Sequence, residues 1–331
     1  MLRPGPLRGS RDRPARKTRY DRWLTTASAA TLDISLLWIP ATLIAAAAQT
    51  ARNTMQHKLT SELGTLGAAQ VRFLYGLPFA LVFLAILLLA GGETLPPAHG
   101  RFLLLCAGAA AVQILATVLM LATMQLRNFA LSTVYVKTEP VLVAIFAVAV
   151  LGDPLTVLAA CAVLIATTGV VTMSWKPGAG AGSNWRPALL GITSGACFAL
   201  SSVVFRGAIL SLEGGSFALR ASMTLVVGLL MQTAALVIWQ ALFQRDVLRH
   251  VLAAWRSSLP AGFMGAFASQ CWYIGFALTS AANVRTLGLV EVLFAQVASR
   301  RIFAQHTSRK ERYGMALVVA GLVLLLYGAP R

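Results

Sequence analysis

Two glutamates, Glu139 and Glu291, lie inside otherwise apolar stretches. An ionised side chain at the centre of a bilayer helix costs at least about 2.5 kcal/mol on insertion scales, so each one calls for a reason. Desolvation favours the neutral form of a carboxylate, which suits a group that picks up and releases a proton. Glu139 and Glu291 are therefore the proton-coupling candidates, with Ser132 and Tyr135 on the Glu139 face. The competing reading is a structural ion pair with Arg52, Lys137 or Arg285. Lys137, two residues from Glu139, falls on a different face of a helix and so pairs elsewhere.

Gln49, Arg52, Asn53 and Gln56 follow the i, i+3, i+4, i+7 spacing of one helical face. A stripe of this kind faces water or other protein, not acyl chains. Either it lines a cavity in which Arg52 meets an anionic substrate group, or it is a hydrogen-bonded seam between helices. Gln113 and Thr117, in line with Met120 and Met124, and Gln270 with Tyr273 are further candidates for the cavity wall. Arg52, Lys137 and Arg285 outnumber Glu139 and Glu291 by one, which favours a substrate bearing a carboxylate or phosphate. Arg72 and Arg220, towards the starts of apolar stretches, read as side chains snorkelling to the interface.

Other chemistries lack their residues. The four histidines, His57, His99, His250 and His306, are scattered, and no His-x-x-x-His, Gly-x-Ser-x-Gly or phosphate-binding Gly-Lys motif occurs. Cys106, Cys161, Cys197 and Cys271 form no close pair and read as small buried apolar residues. No metal, cofactor or catalytic residue is expected.

The elements that hold these residues are set by hydrophobicity. Of 331 residues 57% are hydrophobic and only 12% charged, and the apolar residues come in blocks long enough to cross roughly 30 Å of hydrocarbon. Ten blocks follow, at about 35–58, 67–90, 102–124, 129–151, 155–175, 187–211, 217–243, 257–279, 282–304 and 312–328. The formal net charge of +17 sits in a basic tail, residues 1–34, and in short loops. That is interfacial anchoring, not a nucleic-acid surface. The tail reads as disordered, and the Gly- and Pro-rich stretch 176–186 as a linker between halves at 35–175 and 187–331.

The halves repeat. Ala130 and Ala282, Glu139 and Glu291, and Gly169 and Gly321 are each 152 residues apart, and further upstream Arg72 and Arg220 are 148 apart. Five helices is an odd number, so the two copies enter the membrane from opposite sides: an all-α integral membrane protein of ten transmembrane helices as two inverted five-helix repeats.

Trp38-Ile-Pro-Ala-Thr-Leu through Gln49-Thr-Ala-Arg-Asn-Thr-Met-Gln56, Val71-Arg-Phe-Leu-Tyr-Gly-Leu-Pro-Phe-Ala80, and Glu139-Pro-Val-Leu through Leu151-Gly-Asp-Pro154 carry a family likeness. Over about residues 35–328 the chain resembles the EamA-type branch of the drug/metabolite transporter superfamily. The resemblance implies helices 1 to 4 and 6 to 9 around a central cavity, with helices 5 and 10 at the periphery. The chain departs from the family pattern where Asp153 follows Gly152 in place of Glu, and where Ala304-Gln305 and Val292 stand in the second half.

The expectation is a secondary active transporter, an exporter of a small metabolite such as an amino acid, working by alternating access with proton coupling in a bacterial inner membrane. A facilitative channel or a membrane-embedded enzyme are the alternatives. The expected partners are the lipid bilayer and the small-molecule substrate. Gly191-x-x-x-Gly195 permits close helix packing within or between subunits, so monomer and homodimer both fit. Orientation stays open, because the basic tail and the basic loops fall on opposite faces.

Overall fold

The computed structural model describes residues 34–126, 136, 138–174, 186–294 and 308–328. The expected disordered tail and almost all of the linker lie outside the described residues; Arg186, read as the linker's end, opens a helix. The helices are α1 (Trp38–Leu74), α2 (Leu77–Gly91), α3 (Gly100–Leu126), α4 (Glu139–Phe146), α5 (Val157–Ser174) and α6 (Arg186–Ser211). Then come α7 (Phe217–Phe243), α8 (Arg245–Ala253), α9 (Trp255–Leu278), α10 (Ala281–Leu287) and α11 (Arg309–Gly328). No strand occurs among the described residues.

Among the described residues five stretches are long and apolar enough to cross a membrane: Leu59–Gly91, Gly100–Thr123, Leu189–Ser211, Phe217–Phe243 and Arg309–Gly328. The chain is a multi-pass membrane protein. Its surface agrees with lipid as solvent, since Leu89, Leu104, Val157, Leu230, Ile238 and Val323 are exposed. The interior is instead rich in small residues, with Ala45, Ala46, Ala68, Ala69, Ala109 and Ala116 fully or almost fully buried. Helices in lipid gain little from hiding leucine from leucine, and approach closely through such residues.

Several boundaries differ from the expected blocks. The first two blocks are not separated by a loop: α1 runs through to Leu74, bent at Gly64, whose φ of 70° and ψ of 178° only glycine adopts without strain. Gln56 braces the bend by donating from Nε2 to the Ala68 carbonyl at 2.8 Å. A short helix, α8, stands where a plain loop was expected.

The two glutamate-bearing helices, expected to be continuous, are both interrupted beside the carboxylate. α4 starts at Glu139 itself, after a turn at Thr138 and with Pro140 in its first turn. It then widens into a π-helical turn at Ala147–Leu151. α10 ends at Leu287, and over Gly288–Val292 the backbone bonds tighten to i→i−3: Leu289 to Thr286, Glu291 to Gly288 and Val292 to Leu289.

The three most extensive helix contacts are α5 with α11, α1 with α9, and α3 with α6. In the α5–α11 contact, a methyl placed on Gly169 would meet the Gly314 carbonyl and the Val318 amide at 2.7 Å. One placed on Gly321 would meet Ala166 at 2.7 Å and the Ala162 carbonyl at 2.9 Å. Shifted by 152, these are the same contacts with the partners exchanged.

Candidate substrate site

The sequence-derived candidates converge in the interior between α1, α3, α4, α6, α7, α9 and α10, in two adjoining polar groups. The first is built around the carboxylates. Arg285, on α10, places Nε 3.2 Å from Glu139 Oε1 and donates from Nε and Nη2 to the Ser202 hydroxyl of α6 at 3.1 and 2.8 Å. Its guanidinium lies over the Trp272 ring, 4.7 Å from the centroid, and 5.5 Å from that of Phe276. Trp272 Nε1 donates to Gln49 Oε1 at 3.0 Å, and Gln49 Nε2 donates to Glu291 Oε2 at 3.1 Å. Of the three partners considered for the glutamates, Arg285 is the one that pairs with Glu139 among the described residues.

Local backbone makes this possible. Because α4 starts at Glu139 and the α10 ladder breaks at Gly288, both carboxylates sit at helix interruptions, where unwound backbone adds polar groups to the site. Gly288 is required for close approach, since a methyl there would lie 2.5 Å from the Trp272 ring. The space enclosed by Gln49, Glu139, Trp272, Arg285, Gly288 and Glu291 is about 10 Å³, room for about one water.

The second group is cationic. Arg52 is 3% exposed; its Nη2 donates to Asn53 Oδ1 at 2.7 Å, and its buried Nε has no partner. Arg72, expected to snorkel, is instead 7% exposed. It donates to the Thr117 hydroxyl at 3.2 Å and lies 5.4 Å from the Phe73 ring centroid. The bend at Gly64 carries the second half of α1 back across the interior, which brings Arg72 to the site. Both arginine stems meet at Gly265 of α9, where a methyl would make ordinary contacts with Arg52 Cδ at 3.4 Å and Arg72 Cγ at 3.7 Å.

Around the arginines, Gln232 donates to Gln113 Oε1 at 2.8 Å, and Gln270 donates to the Ser222 hydroxyl at 2.7 Å. Tyr273 is buried against Phe205, ring centroids 5.1 Å apart. Gln56 is separate from this group, being used to brace the bend. Tyr135, Ser132 and Lys137 lie outside the described residues. Arg220 stays in the first turn of α7, half-buried. The residues missed from sequence are Arg72, Ser202, Ser222, Gln232 and Trp272. For Arg72 the repeat with Arg220 was the available signal; single serines and a tryptophan in apolar stretches gave none.

A larger cavity, about 240 Å³, lies further along the same helices, lined by Ala144, Ala147, Asp153, Arg206, Thr279 and Asn283 among others. α4 runs from Glu139 to this cavity, which begins at Ala144, about 8 Å along the helix at 1.5 Å per residue. Arg206 Nη1 closes one wall on Asp153 Oδ1 at 2.9 Å and its Nε reaches the Thr279 carbonyl at 2.9 Å.

Interrupted helices and a buried carboxylate pair beside a cavity suit a solute carrier, and the sequence comparison agrees: residues 36–175 match the EamA-like transporter family. No curated protein sequence matches the chain. Among 28 matching solved chains, one described only as the crystal structure of a protein superimposes with a TM-score of 0.64 at 15% identity, covering 90% of this chain and 97% of that one. The fold of this chain is thus shared by a solved protein over nearly its full length. The matched stretch contains Gln49, Arg52, Arg72, Thr117 and Glu139; Trp272, Arg285 and Glu291 lie beyond it.

Proposed function

We propose that this EamA-like transporter is a secondary active carrier in which two inverted five-helix repeats, 35–175 and 187–331, alternate access to the site between them. On this reading it exports a small organic solute such as an amino acid across a bacterial inner membrane, and Glu139 and Glu291 carry the coupling proton. The observation that carries the reading is the exchange of partners in helix packing: the Gly169 and Gly321 contacts of α5 and α11 swap under the shift of 152, and α1 on α9 and α3 on α6 are the pairs that an inverted repeat would exchange. In its support, Glu139 and Glu291, the carboxylates paired by the shift of 152, are joined through one Gln49–Trp272–Arg285 network. A carrier needs a site closed to one side at a time, and a pocket of about 10 Å³ near a vestibule of about 240 Å³ suits that better than a continuous pore.

The test is flux in liposomes holding the purified protein, screened against pools of amino acids, nucleosides and organic cations with and without a pH gradient. Saturable counter-transport is expected. Glu139→Gln and Glu291→Gln are expected to keep counter-transport while losing acceleration by the gradient; unchanged gradient-driven flux in both removes the proton-carrying role.

A further inference from the structure

We propose that Arg52 and Arg72 form an anion site that takes the carboxylate of a monocarboxylate solute. This rests on the carrier reading and names the substrate class for the same site. Arg52, Arg72, Glu139 and Glu291 are buried, and Arg285, about 10% exposed, adjoins them. The carboxylates are already engaged away from the first two: Glu139 on Arg285, Glu291 on Gln49. Arg285 has Glu139, Ser202 and two aromatic faces. Arg52 and Arg72 have no carboxylate within ion-pair distance among the described residues; their partners are one amide oxygen, one hydroxyl and one ring face.

An unpaired buried guanidinium is costly, and two converging on one glycine compound the cost by mutual repulsion. Such a pair persists where something else supplies the negative charge. Within this group Arg52, Arg72 and Arg285 exceed Glu139 and Glu291 by one charge, which a single carboxylate offsets. Arg52 Nε, sealed from water and without an acceptor, is a donor free for one carboxylate oxygen. Planar guanidinium groups meet the two oxygens of a carboxylate in a fork-like geometry that an ammonium cannot reproduce. Gln113, Thr117 and Gln270 around the pair offer polar groups for the rest of the solute, and Tyr273 an aromatic wall.

The test reads binding, not flux. The full chain in lipid nanodiscs is melted with acetate, benzoate and leucine, with the matched amides acetamide, benzamide and leucinamide, with phenyl phosphate, and with chloride at equal ionic strength. At least one monocarboxylate is expected to raise the melting temperature above its amide, phenyl phosphate and chloride. Arg52→Gln and Arg72→Gln are expected to weaken that binding about tenfold or more, the scale of a lost charged hydrogen bond.

Asn53→Asp guards against a variant that merely misfolds. It is nearly isosteric, and Asn53 Oδ1 already accepts from Arg52. The new carboxylate should stabilise the empty protein and abolish stabilisation by added carboxylate. Carboxylates no better than their amides or chloride, phenyl phosphate outperforming every monocarboxylate, or an Asn53→Asp protein that still responds fully to carboxylate would each overturn the proposal. Saturable flux of a neutral or cationic solute without carboxylate binding would leave the carrier reading standing, while binding without flux would do the reverse.

Discussion

Trp272 ties the site together by using both its edge and its face: the indole N–H holds Gln49, and the ring plane carries Arg285. Its position depends on the absence of a side chain at Gly288, where a methyl would lie 2.5 Å from the ring. Gly288→Ala is therefore expected to displace the indole, release Gln49 from its position under Glu291, and cost about 1 to 3 kcal/mol, the range for overpacking. A fall of several degrees in melting temperature together with loss of gradient-driven flux is the expected result; a protein with unchanged flux would show that the indole position is dispensable. The stripe Gln49, Arg52, Asn53 and Gln56 was legible because helical spacing alone puts four polar side chains on one face. Its division of labour was not. Gln49 goes to a carboxylate, Arg52 to the cationic pair and Gln56 to the bend, because α1 bends at Gly64 and the bend alters what lies opposite each turn. Arg72 was misplaced for the same reason: counted along a separate helix it falls near an end, but the bent α1 buries it against Thr117.

The contact between α5 and α11 turns the repeat into a physical interface. Gly169 and Gly321 face each other's helices so closely that any side chain would collide with backbone atoms: the Gly314 carbonyl and Val318 amide in one case, the Ala166 amide and Ala162 carbonyl in the other. Backbone cannot move aside as a flexible side chain can. Gly169→Leu and Gly321→Leu are accordingly expected to destabilise to a similar degree, each by several degrees of melting temperature in the same lipid, because the contacts they break are the same contacts with partners exchanged. A tolerated change at one position with a severe one at the other would show that the two helices do not meet about a twofold. These glycines were visible in the sequence as a matched pair. The interruptions at Glu139 and at Gly288 were not, since an apolar run with one Pro or Gly reads equally well as continuous helix, and Val292 in place of a second proline hid the likeness. Nor was α8, whose nine residues are too few for periodicity to separate from a charged loop.

At the scale of the molecule, one ion pair fastens the end of the bundle that holds the larger cavity. Asp153 and Arg206 join the turn after α4 to the end of α6, and Arg206 reaches on to the Thr279 carbonyl ahead of α10, so three connections are fastened beside the larger cavity. Their repeat counterparts are Gln305, by the shift of 152, and Lys58, by the shift of 148, which cannot form the same pair. The repeat in sequence therefore does not carry this pair of opposite charges into the other half. Both side chains are largely shielded, with 13% and 14% exposure, so removing one partner strands the other in a poorly solvated place. A loss of about 1.4 kcal/mol already shifts an opening equilibrium tenfold. With the native cysteines replaced and a reporter introduced as Ala282→Cys in the cavity wall, Arg206→Gln is expected to raise the maleimide labelling rate about tenfold. The exchange Asp153→Arg with Arg206→Asp, which keeps opposite charges facing each other, is expected to restore most of the slow rate. Equal labelling in all three backgrounds would mean that the pair closes nothing, and that the end of the bundle bearing it opens for reasons lying elsewhere in the helices.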